Sequence, residues 1–252
     1  MLENNNFTVC IVNYYTSNII SNILAPLNDF QKNNQVELDV HIQNNSKDDN
    51  LDTAIKEFRN INIKLFTSDK NLGYPSAICS LHSQVKKYDY AFFINPDCLF
   101  TSSQLEQFVS KLKNKSFGAA VCNITDGLSG PEYTGIPTIK ENNKISYEID
   151  AYGWKFAMGA FVLYNLKALD SVGSFDDQYF MYWEDSDISV RLQLDGYKII
   201  SLKLDNPVKH SVGYCSNSFF KKIKSRYYFY KGLYRFRKKF NKETIINNVE
   251  YI

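Results

Sequence analysis

The sequence predicts an α/β fold in which a mostly parallel, doubly wound sheet is covered by helices on both faces. Three observations carry this. Strand-like and helix-like stretches alternate three times before residue 90, which implies parallel strands joined by right-handed crossovers. The fourth strand, Tyr90-Ala91-Phe92-Phe93-Ile94, is a continuous apolar run of the kind found in strands covered on both faces. It stops at Asn95-Pro96-Asp97, so an acid stands at the carboxyl end of a buried strand, where open α/β sheets bind ligands.

In chain order, Phe7 to Asn13 reads as the first buried strand, and Ile19, Ile20, Ile23, Leu24 and Leu27 recur at helical spacing behind it. Pro26 falls inside that helix and is a candidate kink. Val36 to Ile42 alternates as a second strand, a helix follows around Leu51 to Phe58, and Ile61 to Phe66 makes the third strand. After the turn Asn71-Leu72-Gly73-Tyr74, a helix over about Ser76 to Val85 leads into the apolar strand. Beyond Asp97, Ser103-Gln104-Leu105-Glu106 has the pattern of a capping box opening a helix through Leu112. Phe117 to Ile124 is apolar and strand-like. Residues 125–150 lack periodicity and read as a long loop over the sheet. Ala157 to Tyr164 reads as a strand, Leu166 to Val172 as a short helix and Ile188 to Leu194 as a further helix, with Asp187 and Arg191 as i,i+4 partners. Tyr197 to Leu202 and Pro207 to His210 read as late strands.

The 252 residues suffice for one such domain, and 44% hydrophobic with 22% charged residues is ordinary for a globular chain. Cys10, Cys79, Cys98, Cys122 and Cys215 lie far apart without a C-x-x-C pair, which argues against a zinc knuckle or disulfide framework and for a reducing compartment. The amino terminus lacks the basic and apolar regions of a signal peptide, and the expectation is a cytoplasmic protein. The net charge of +2 hides an asymmetry: residues 206–242 hold eleven Lys or Arg and no acid, against eighteen basic and twenty-seven acidic residues elsewhere. Such a segment meets something anionic.

Three groups of residues are candidates for chemistry. Asp97 is either a turn acid or a ligand. Glu184, Asp185 and Asp187 lie at a helix start, where carboxylates are also stabilised by the helix dipole. His210 follows a late strand and alone is ordinary. Together, Asp97 and His210 would hold a hard divalent cation against phosphate oxygens, and a separate carboxylate would act as general base.

An ordered set of motifs then resembles a known family. These are Val12-Asn13-Tyr14, Asn44-Asn45-Ser46-Lys47-Asp48, Asn71-Leu72-Gly73-Tyr74 with Ala77, Asn95-Pro96-Asp97, Gly173-Ser174-Phe175-Asp176, Phe180-Met181-Tyr182-Trp183-Glu184-Asp185-Ser186-Asp187, Arg191, Gly196-Tyr197 and His210. Over residues 7–240 the chain resembles family-2 inverting glycosyltransferases of the GT-A (Rossmann-like) fold, close to bacterial rhamnosyltransferases of O-antigen and other surface polysaccharides. The resemblance implies that Asp97 and His210 bind Mg²⁺ or Mn²⁺, that Asp185 beside Glu184 is the catalytic base, and that Asn13, Gln43, Asn44, Asn71, Gly73 and Asn95 line the donor site. It places Tyr182 and Trp183 against the acceptor. The implied partners are a nucleotide-sugar donor, dTDP-L-rhamnose first, and a polyprenyl-diphosphate-linked glycan acceptor. UDP-linked hexoses, galactofuranose and N-acetylated sugars stay open. So do a non-catalytic nucleotide-sugar binding protein and a nucleotidyltransferase, although no glycine-rich phosphate loop follows the first strand. Two positions depart from the family pattern: Gln43 replaces an Asp that reads the pyrimidine, and Cys79 replaces an Asn.

The expected organisation is a GT-A domain over 1–215 and a basic, aromatic helical segment over 216–252. In that segment Phe219, Ile223, Tyr227, Tyr230 and Tyr234 recur at helical spacing among Lys221, Lys222, Lys224, Arg226, Lys231, Arg235, Arg237, Lys238 and Lys239. Two readings stand. The apolar series packs on the domain and leaves the bases in water, or the helix lies on an anionic membrane, which would make the protein peripheral on the inner face of the cell membrane. No nucleic-acid module accompanies the charge, so no nucleic-acid partner is expected.

Overall fold

The computed structural model describes residues 6–127, 130–149, 151–211 and 219–252. Its centre is an eight-stranded sheet. Strands β1 (Phe7–Asn13), β2 (Asp39–Asn44), β3 (Asn62–Thr67) and β4 (Tyr90–Ile94) are joined by helices α1 (Ser21–Asn34), α2 (Leu51–Ile55) and α3 (Tyr74–Gln84). β1 pairs in parallel with β2 and with β4, and β2 with β3, as the alternation of elements requires. α1 runs through Pro26 without a break.

β4 shows why an all-apolar strand belongs at the centre. Its side chains alternate between faces, so Phe92 enters one cluster with Phe7, Phe108 and Phe161 while Phe93 enters the other with Tyr164 and Phe175. Burying each ring contributes about 2–3 kcal/mol, so both helical layers are fastened to this strand.

After β5 (Cys98–Leu99), helix α4 (Ser102–Lys111) is capped two residues earlier than its sequence suggests. Thr101 is the N-cap and Gln104 completes the capping box, so Ser103 and Glu106 lie inside the helix. Thr101 wins because it is the residue whose backbone is still extended. The expected strand at 117–124 is two pieces, β6 (Ala119–Cys122) and β7 (Ile124–Asp126). The presumed loop carries β8 (Glu132–Tyr133), β9 (Thr138–Ile139), β10 (Ile145–Ser146) and β11 (Trp154–Lys155). Two-residue strands give no periodicity to read.

β12 (Phe161–Asn165) begins four residues later than expected, because 157–160 form a turn beneath the carboxylates described below. It runs antiparallel between β4 and β6. After α5 (Leu166–Ser171), α6 (Glu184–Leu194) and β13 (Ile199–Leu202), strand β14 (Val208–His210) joins β5, β7 and β8 in a small second sheet. The chain ends with α7 (Phe219–Lys239) and β15 (Val249–Tyr251). β15 pairs in parallel with β13 and forms one edge of the central sheet, a strand that sequence reading missed.

Within the described part of the carboxyl-terminal segment, α7 packs with a face other than the expected one. Phe229, Leu233, Phe236 and Phe240 join Trp154, Tyr179 and Trp183 in a third core cluster. Ile223, Tyr227, Tyr230 and Tyr234 are exposed. The side chains of Phe219, Lys221 and Lys222, together with Cys215 and the 215/216 boundary, lie outside the described residues.

Candidate active site

The carboxyl ends of β1, β2 and β4 open into a cleft of about 600 Å³, which α6 and α7 close from the other side. Its first wall holds a paired acid and histidine. β14 runs antiparallel to β5 with His210 opposite Cys98, and the Ser211 amide donates to the Asp97 carbonyl. That register sets His210 Nε2 3.3 Å from Asp97 Oδ1, with both side chains open to the cleft. Nδ1 of His210 is buried and has no hydrogen-bond partner among the described residues. Cys98 is close by, but burial pushes its thiol well above the usual range and it donates to the Ala160 carbonyl. The available donors are thus one carboxylate oxygen and one imidazole nitrogen. This set fits Mg²⁺ or Mn²⁺ when diphosphate oxygens and water complete the shell.

The second wall is the start of α6. Tyr182 and Trp183 both adopt positive φ (68° and 72°), an uncommon backbone for large side chains. The turn they make brings Glu184 and Asp185 to the cleft at the amino end of the helix. Asp185 accepts from the amides of Ser186 (2.7 Å) and Gly159 (3.3 Å), and no cation pairs with it among the described residues. Gly159 lies so close that a β-carbon there would stand 3.3 Å from Asp185 Cβ. Glu184 is buried, and its Oε2 has no hydrogen-bond partner among the described residues. Burial raises the pKa of both acids, and the neighbouring Asp185 charge raises Glu184 further. Asp187, one turn-position on, faces away. It is bound by Arg191 Nε at 2.6 Å, Lys239 Nζ at 2.5 Å and the Tyr179 hydroxyl at 3.1 Å.

The third wall lies between the ends of β1 and β2 and the start of α3, and here the expected residues divide. Asn71, Gly73 and Asn95 line the cleft; Asn13, Gln43 and Asn44 do not. Asn13 donates to Asn44 Oδ1 and Asp49, which ties the β1 and β2 ends together. Gln43 spends its amide on Ser68 (2.6 Å) and Ser80 (3.1 Å), both away from the opening. Asn45, part of the Asn44–Asp48 motif but not among the expected donor-site residues, is on the wall instead. Its Nδ2 donates to the Gly73 carbonyl (3.2 Å) and Asn71 Oδ1 (3.4 Å), and its buried Oδ1 has no donor among the described residues. Gly73, at φ 82°, permits a close approach: a β-carbon there would stand 2.6 Å from the Phe180 carbonyl oxygen.

The two expected acceptor aromatics also part company. Tyr182 lines the cleft, and its hydroxyl bonds Ser225 of α7 at 2.6 Å. Trp183 is turned into the core against Phe229 and Phe236, because its left-handed backbone sends the ring behind the helix start. α7 supplies Lys224, Ser225 and Tyr228 to the rim, with Tyr228 stacked 4.4 Å from Phe180. Its contact with Trp183 is made at Gly232, where a β-carbon would meet the indole at 2.8 Å. Arg235 and Lys239 fasten the helix to Asp176. Nothing in the structure explains the Cys79 departure, whose thiol donates to the Phe175 carbonyl.

Comparison with known proteins decides the family. The profile of glycosyl transferase family 2 matches residues 8–173, about two-thirds of the chain. The chain belongs to glycosyl transferase family 2. Within that family it is 26% identical over 155 residues to the rhamnosyltransferase WbbL of Escherichia coli K12, covering 53% of this chain and 56% of that protein. Among solved structures, residues 1–349 of Staphylococcus aureus TarS superpose with a TM-score of 0.60 at 18% identity, over 81% of this chain and 60% of that one. The mannosyltransferase PcManGT of Pyrobaculum calidifontis, solved with GDP-Man and Mn²⁺, gives 0.63 at 13% identity, over 91% and 64%. These likenesses establish the GT-A fold. The chain spans less than two-thirds of the length of these relatives.

Proposed function

We propose that this family-2 protein is a metal-dependent inverting glycosyltransferase that moves L-rhamnose from dTDP-L-rhamnose to a lipid-linked glycan. The observation that carries the chemistry is the pairing, across one cleft, of Asp97 and His210 with an acid, Asp185, that no cation among the described residues neutralises. The acceptor hydroxyl oxygen attacks the anomeric carbon and Asp185 takes its proton. The bond from that carbon to the diphosphate oxygen breaks, and the nucleoside diphosphate leaves with the electron pair. Asp97 and His210 would hold the divalent cation, which when bound would offset the charge that grows on the leaving group. Glu184, kept neutral by burial, adds no competing charge beside the attacking oxygen. At the third wall, Asn45 Oδ1 accepts a hydrogen bond from the nucleoside, the part expected of Gln43, and Asn71 and Gly73 complete that pocket.

Rhamnose is favoured by the likeness to WbbL. UDP-linked sugars are the second reading, since TarS has been solved with UDP-GlcNAc. Isothermal titration of the wild type and Asp97→Ala with dTDP and UDP, in Mn²⁺ or in chelator, tests the site. The wild type should bind dTDP at least about tenfold tighter with Mn²⁺, and the variant should lose that gain. Equal affinity with and without metal would sink the assignment of Asp97, and preference for UDP would replace the donor.

A further inference from the structure

α7 has two apolar faces, and only one is used. At 100° per residue, Ile223, Tyr227, Tyr230 and Tyr234 fall within about 60° of one another and form a stripe about 16 Å long. They are 53, 60, 65 and 72% exposed. Such values are not those of a packing face, and the packing role is already filled by Phe229, Phe236 and Phe240 on the far side of the helix. Clustered exposed rings on an otherwise ordinary surface mark an interaction site.

Charge selects the partner. α7 contains nine Lys or Arg and no acid. Arg235 and Lys239 are committed to Asp176 and Asp187, and Arg237 to the Lys140 carbonyl and Asn143. Arg226 borders the stripe on one side and Lys231 and Lys238 on the other. All three are exposed, and none makes an ion pair among the described residues. Tyrosine rings between bases match the boundary between lipid headgroups and acyl chains: the rings enter, the hydroxyls stay wet, and the bases meet anionic headgroups.

We infer that the outer stripe of α7, Ile223, Tyr227, Tyr230 and Tyr234 with Arg226, Lys231 and Lys238, docks on an anionic lipid surface. The helix lies along that surface rather than across it; no helix among the described residues is long and apolar enough to span a membrane. Lys224, Ser225 and Tyr228 on the same helix then bring the rim of the cleft to the lipid boundary. The inference rests on α7 alone and stands whatever the cleft binds.

Vesicle flotation of the full chain tests it, using phosphatidylcholine with and without phosphatidylglycerol. The wild type should float only with the anionic vesicles. Tyr227→Ser, Tyr230→Ser and Tyr234→Ser together should reduce the bound fraction about tenfold. Arg226→Gln, Lys231→Gln and Lys238→Gln together should do the same and remove the salt dependence. Both variants should keep the wild-type melting temperature, since they replace exposed side chains. Binding that survives loss of the three tyrosines, or that ignores phosphatidylglycerol, overturns the inference. So does sedimentation equilibrium showing a wild-type dimer that the tyrosine variant dissolves, which would make the stripe an interface between copies.

Discussion

Asp185 and Asp187 are two residues apart on one helix and have opposite lives. Asp187 is fully buried and answered from three sides, by Arg191, Lys239 and the Tyr179 hydroxyl. Asp185 faces a cleft and, among the described residues, has only backbone amides and the Ser186 hydroxyl for company. A carboxylate neutralised inside the fold holds elements together and is a poor base. One left with unspent basicity at an opening is a tool for a ligand's proton. The Glu-Asp-Ser-Asp run contains both kinds, and their partners tell them apart.

The largest effect should come from Asp185→Asn, which keeps the shape and one of the two amide contacts while removing the proposed base. Transfer should fall by about 10³-fold with nucleotide affinity nearly unchanged. Retained turnover would end the distinction between the two acids. Asp187→Ala should act on stability instead, costing about 3–5 kcal/mol because it strands Arg191 beside a buried site and leaves Lys239 with Asp176 alone. Urea denaturation showing an intact midpoint would mean that the ion cluster is ornamental.

The smallest effect belongs to Glu184→Gln and is read against pH. Burial raises the Glu184 pKa in the folded protein. Above the ordinary glutamate range the unfolded chain has released this proton while the folded chain still holds it, so stability falls as pH rises through that window. The Gln variant lacks this slope. Its advantage should therefore be nil in acid and grow to on the order of 1 kcal/mol toward neutral and alkaline pH. Melting curves of the two proteins that stay parallel across pH would show that Glu184 does not titrate this way.

Much of this was legible in the chain itself. The order β1 to β4 followed from alternating patterns, and Asp97, Asp185 and His210 do line one cleft. What stayed hidden is instructive. Periodicity found the Ile223–Tyr234 series but not its orientation, because α7 is apolar on two sides and spacing alone cannot choose between them. Trp183 looks like a sugar-binding ring until its positive φ is known, and nothing local in the sequence announces that backbone. Asn13, Gln43, Asn44 and Asn45 are neighbours of similar chemistry. Which amide is spent inside and which is left facing the opening depends on partners as distant as Ser68 and Ser80. β15 is three residues long, and a strand that short acquires its identity only by finding β13.

Gly232 carries one more consequence. The helix passes Trp183 at a distance that leaves no room for a single methyl group, and Trp183 is the residue immediately before Glu184. The seating depth of the carboxyl-terminal helix and the reach of the acid pair are thus one mechanical setting, like a bolt whose head also aligns the part beneath it. Evolution could not alter how this helix sits, whatever its outer face touches, without also moving the carboxylates that face the cleft.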